Sequence, residues 1–256
     1  MFRDLEIWLN HFEYHAQHPR TVPAGLSDVL KPGERRLIAR SIATFELCEQ
    51  AEGNALLRAV QSFAGKHNAA PLMRITELFI REQQRHGALL REFMHDHGIQ
   101  TKQTDRTDFV FCCLRRIGGY EMRLHVLIAA ELIANVYYRA LEAATGCQRL
   151  KVLCRTLVAD ELAHIGLESQ LLLNLRSQRS APVRAAARWL HRTFFAGAAT
   201  FVYLTHRNVL RGAGYTLGSF LRVCRTQYAF YMEPPVSAAA PRDFKSPVRT
   251  GRPSWR

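Results

Sequence analysis

Two short segments carry side chains that could bind cations: Glu82-Gln83-Gln84-Arg85-His86 and Asp160-Glu161-Leu162-Ala163-His164. Residues three apart share one face of a helix, so Glu161 and His164 can aim a carboxylate oxygen and an imidazole nitrogen at one point. In the first segment the residue three before His86 is Gln83. Each histidine is preceded at a similar distance by a glutamate among small residues: Glu52 lies 34 residues before His86 and Glu131 lies 33 before His164. Their frames are Ala51-Glu52-Gly53-Asn54-Ala55 and Ala130-Glu131-Leu132-Ile133-Ala134. Small residues let a neighbouring helix come close. Glu131 interrupts the apolar run Val126 to Tyr138. A carboxylate buried there without a partner costs several kcal/mol, so a cation is expected beside it. The chemistry implied is metal binding, repeated twice in one chain.

The elements that must position these residues are helices. Apolar residues recur at helical spacing almost to residue 232, and no alternating strand pattern competes. One helix is predicted from Pro32-Gly33 to Ala64, stopped by Gly65, and a second from Pro71 to His97, stopped by Gly98. Residues 99–118 read as a connection, long enough to return along a bundle and restart a parallel helix. A third helix then spans Tyr120 to Thr145 and a fourth Gln148 to Gln178. Around this core of residues 34–178 lie an amino-terminal helix and loop (1–33), two carboxyl-terminal helices packed on the bundle (179–232) and a disordered tail (233–256). The apolar stretch Thr193 to Thr205 is too short to span a bilayer and is expected to pack on the bundle.

On these residues the chain resembles the ferritin-like di-iron carboxylate superfamily. Its rule is one Glu from each of two helices of a four-helix bundle and a Glu-x-x-His from each of the other two. Glu-Gln-Gln-Arg-His-Gly with Leu89-Leu90 is also locally similar to the soluble acyl-carrier-protein desaturases. The resemblance implies metal ligands at Glu52, Gln83, His86, Glu131, Glu161 and His164, holding two iron ions, with manganese or a mixed pair as alternatives. Gln83 departs from the pattern where a metal-bridging Glu is usual. Three carboxylates leave two divalent ions one charge short of neutrality, which weakens binding most at one position. The pair on the fourth helix is then intact and the pair on the second altered, although Gln can ligate through its carbonyl oxygen. The family also places a carboxylate behind each histidine, which implies that Asp160 pairs with His86 and Glu82 with His164. Tyr138 and Glu168 fall near this set. Glu46 and Glu49 lack the alanine frame and read as a solvated helix face.

The resemblance implies an O2-dependent oxidase or oxygenase acting on a small-molecule or carrier-bound substrate, with electrons from an external donor. The alternative is a metal-binding or degenerate-site scaffold without catalysis. Length favours the enzyme, since the flanking helices could build a substrate pocket. The net charge of +13 is uneven: residues 1–168 carry 21 Lys and Arg against 20 Asp and Glu, whereas residues 169–256 carry 14 against 2. Such a basic third suits an anionic partner, whether nucleic acid, lipid, an acidic protein or an anionic substrate. Six cysteines without a CxxC pair, and no leader-like opening or membrane span, fit a reduced cytoplasmic protein. A homodimer is the default expectation.

Overall fold

The computed structural model describes residues 4–50, 53–104 and 119–233. All regular elements among them are helices: α1 (Leu5–Gln17), α2 (Pro32–Glu49), α3 (Asn54–His67), α4 (Pro71–Asp96), α5 (Tyr120–Ala143), α6 (Gln148–Ser177), α7 (Ala181–Thr205), α8 (Arg207–Gly212) and α9 (Leu217–Met232). The punctuation seen in the sequence sets several of these limits. Pro32 and Pro71 occupy first turns, where a missing N–H costs nothing. Gly98 takes φ +60°, and the N–H of Ile99 closes the end of α4 on the carbonyl of Met94 at 2.8 Å.

The single helix expected over 34–64 is two. α2 stops at Glu49 and α3 restarts at Asn54, after Gly53 in an extended conformation. Gly53, which lacks a Cβ and is costly inside a helix, stands at the restart. The carboxyl-terminal pair is likewise three helices, because the chain breaks at His206. The ends of α4, α5 and α6 lie within two residues of those expected. Residues 105–118, with Cys112 and Cys113, and the tail beyond Glu233 lie outside the described residues.

α2 packs along α4, and α5 along α6; α4 and α6 join the two pairs. Ile38, Ile42, Leu72, Ile75, Leu90, Leu124, Ile128, Leu157 and Leu172 fill the space between them and are all fully buried. Tyr137 of α5 stacks flat on Phe45 of α2, and its hydroxyl accepts from Ser41 at 2.8 Å, tying the pairs together. Gly87 lies against the side chain of Gln50: a Cβ there would stand 2.7 Å from Gln50 Cγ. That close approach sets the end of α2 beside the middle of α4. α5 is long and apolar enough to cross a membrane, but 78% of its apolar window is buried inside the bundle.

Candidate metal centre

Four helices bring their polar residues to one buried point. Glu49 is the last residue of α2; Glu82, Gln83 and His86 come from the middle of α4, Glu131 from α5, and Asp160, Glu161 and His164 from α6. His86, Glu161 and His164 are wholly inaccessible, and Glu49, Gln83 and Glu131 nearly so. Ligand atoms of Glu49, His86 and Glu161 lie within 4.8 Å of one another, and so do those of Glu131, Glu161 and His164.

Glu161 belongs to both groups. Its Oε1 is 3.2 Å from His86 Nδ1 and its Oε2 is 3.1 Å from His164 Nδ1, so one carboxylate spans the two imidazoles. Both rings therefore turn Nδ1 inward. Each turns Nε2 outward to a carboxylate on the opposite helix: His86 to Asp160 Oδ2 at 3.1 Å, and His164 to Glu82 Oε2 at 3.0 Å. An Nε2–H donated outward leaves the inward Nδ1 lone pair free to meet a cation.

Burial and Glu161 push the Glu131 carboxyl well above the usual carboxylate range. Burial also raises Glu49. On Glu161 burial acts in the same direction, yet Glu131 and the two imidazoles hold it well below that range. Burial pulls both histidines down, but the surrounding carboxylates win: His86 is raised well above its ordinary value and His164 to about 10. Protons here hold together the charges that a metal would hold. Among the described residues, Glu49 Oε2, His86 Nδ1 and Glu161 Oε1 are buried without a well-aligned hydrogen bond and meet only one another, His86 Nδ1 lying 3.2 Å from Glu161 Oε1 and 3.7 Å from Glu49 Oε2. Buried polar atoms converging in this way are placed to share a cation. Carboxylate oxygens and imidazole nitrogens suit iron, manganese or zinc, so the residues present fit a metal.

Two sequence readings need correction. Glu46 and Glu49 are not on a solvated face. Glu46 is 1% exposed and paired with Arg91 at 2.7 Å, and Glu49 stands in the ligand cluster. Apolar Ile38, Ile42 and Phe45 lead to Glu49 at steps of four, three and four residues, a signal the alanine frame obscured. Glu52 lies outside the described residues. The second concerns where the altered residue acts. The Gln83 amide donates to Glu131 Oε1 at 2.6 Å and sits 3.3 Å from His164 Nδ1, so it faces the Glu131–His164 group rather than His86 three residues away.

Tyr138 is fully buried and donates its hydroxyl hydrogen bond to Glu49 Oε1. Glu168, also buried, acts on Glu131 through space. Outside the cluster, the amino-terminal helix and loop, expected from the sequence only as part of a pocket wall, lie against the histidine and carboxylate side of the site. Phe12 of α1 stacks on His164 with ring centres 5.8 Å apart, and Arg20 joins Arg85 in pairing with Asp160. Those two guanidiniums and His86 hold Asp160 down to about 2 against the effect of burial. A second convergence, Asp28, His97 and Cys147, is already neutralised by Arg149, 2.8 Å from Asp28. Cys147, Cys154 and Cys224 are buried free thiols.

Comparison of the chain with family models, curated proteins and solved structures finds no match.

Proposed function

We propose that this chain is a ferritin-like bundle holding two metal ions, iron foremost, and that it acts with O2 as an oxidase or oxygenase on an organic anion. The observation that carries the reading is the Glu161 carboxylate placed between two inward-facing Nδ1 atoms, with Glu49 on one side and Glu131 on the other. Glu49, His86 and Glu161 would hold one ion; Glu131, His164, Glu161 and the Gln83 carbonyl, after rotation of its amide, the other. Two reduced iron ions would supply the electrons and open coordination positions that O2 chemistry requires and that no side chain here offers.

The chain's own residues do the rest. Asp160 and Glu82 fix the tautomer and tilt of the two histidines. Phe12, Phe79 and the surrounding core exclude water, which strengthens every electrostatic interaction inside. Tyr138 holds Glu49 in place and keeps a proton one side chain from the cluster. A groove of about 620 Å³ runs between the loop after α1 and helices α4 and α6. Apolar Val22, Leu89 and Leu153 line it together with Arg20, Arg85 and Arg149, whose charges are matched by Asp28, Glu92 and Asp96, so the groove suits a substrate with apolar and polar parts; Arg20 and Arg85 also touch Asp160.

A second reading, metal binding without catalysis, draws on the hydrogen bond from Gln83 to Glu131, which occupies a carboxylate that a second ion would need. Anaerobic reconstitution separates the two. Close to two irons per chain and an absorbance change on admitting O2 match the enzyme. Uptake of metal with no response to O2 matches the buffer or scaffold. No uptake at all sinks the enzyme and leaves a degenerate-site scaffold, and unchanged metal content in Glu131→Ala refutes that residue as a ligand.

A further inference from the structure

Helix α7 is apolar on two opposite faces, and among the described residues only one is covered. His191, Phe195, Ala199 and Val202 pack inward against the bundle. On the other side Val183, Ala186, Leu190, Thr193, Gly197 and Leu204 recur at steps of three, four and seven, all open to solvent and none charged. Leu190 is 62% exposed, Leu204 59%, and Trp189 at the edge of the stripe 69%. A solvent-facing helix surface ordinarily carries charge, and a helix apolar all round is buried in protein or lipid. This stripe runs from Val183 to Leu204, about 32 Å at the usual rise per residue.

The charge nearby selects what covers it. From residue 181 to 232 the chain has seven arginines and no Asp, Glu or Lys. Arg188, Arg192, Arg207 and Arg211 are exposed, and Trp189 lies on the helix surface between the stripe and the side bearing Arg188 and Arg192. A second copy of so basic a surface would be repelled. An apolar stripe edged by Trp, in a stretch whose only charged residues are arginines, Arg192 being 3.4 Å from Glu233 just beyond it, matches the interface of a bilayer with negatively charged headgroups.

We propose that α7 lies along an anionic phospholipid membrane, its stripe sunk to the level of the acyl-chain boundary and the arginines of α7 and α8 on lipid phosphates. The helix would then lie on a lipid surface without crossing it. This inference rests on the surface of α7 alone and stands or falls independently of the metal.

Full-length protein is mixed with vesicles of phosphatidylcholine, with or without phosphatidylglycerol, and sedimented. Binding to the anionic vesicles is expected, with a blue shift of tryptophan emission and release by added salt. The double variant Trp189→Glu, Leu190→Glu alters only exposed positions, so its circular dichroism and melting temperature should match the parent. Its partition onto anionic vesicles should fall roughly tenfold or more. A parent protein that stays in the supernatant overturns the inference. So does equal binding to neutral vesicles, or a folded double variant that binds as before. A parent dimer that the double variant disperses, seen by sedimentation velocity, would put a second copy on the stripe and also overturn it.

Discussion

Gln83 and Glu131 are joined by a hydrogen bond of 2.6 Å that crosses the cluster, from the amide of one to the carboxyl oxygen of the other. The bond satisfies Glu131 in the metal-free protein and stands in the way of a cation beside His164. Gln83→Glu should therefore have opposite effects in the two states. Without metal, a second buried acid beside Glu131 lowers stability by about 1–3 kcal/mol. With iron or manganese under argon, the added carboxylate should raise the melting temperature more than metal does in the parent. Equal metal-induced shifts in parent and variant would show that position 83 does not face the ion.

Glu49→Gln should cost the protein at least one of its bound ions, measured as metal per chain by atomic emission. Glu52→Gln should leave the count nearly unchanged. The reverse pattern would return the ligand to the position with the alanine frame.

How much of this was legible beforehand divides by the range of the signal. Proline and glycine act locally, so Pro32, Pro71 and Gly98 mark helix ends that the structure reproduces. The helical, strand-free character of the described residues follows from apolar spacing alone. The break after Glu49 was missed because a single glycine inside a helical pattern, here Gly53, costs only about 1 kcal/mol and does not by itself mark an end. The close approach of Gln50 to Gly87 brings Glu49, and not only a residue in a suggestive frame, against His86. A ligand's neighbours in sequence do not show which face its helix buries. The contacts of Asp160 with Arg20 and of His164 with Phe12 join residues more than 130 positions apart, a separation at which no spacing rule operates.

The metal-free protein should weaken as pH rises. His164 in the fold is raised to about 10 from an ordinary 6.5, so the stability its proton contributes is complete below about pH 6.5 and lost on the way to pH 10. The loss should be on the order of a few kcal/mol. Metal removes the effect, because an ion on Nδ1 replaces the proton. Urea unfolding at several pH values, with and without metal, tests this; a metal-free protein equally stable at pH 7 and pH 9.5 would contradict it.

Arg20→Ala removes one of two guanidiniums from Asp160 and unpins the loop after α1. Because Arg20 is partly exposed, the stability loss should be modest, about 1 kcal/mol. Its clearer sign should be kinetic: a chelator should strip metal from the variant several-fold faster, as the outer wall opens. An unchanged rate would mean that metal leaves by another route.

The ending of α2 at Glu49 has an electrostatic effect of its own. The last carbonyls of a helix lack amide partners and together amount to roughly half a negative charge, worth about 0.3–1 kcal/mol to a nearby cation. An uninterrupted helix would have carried that pole some twenty ångströms away, by the usual rise over the fourteen residues of α3. Stopped where it is, the backbone leaves its negative end at Glu49, beside the cluster, where main-chain oxygens that no substitution removes would favour a bound cation.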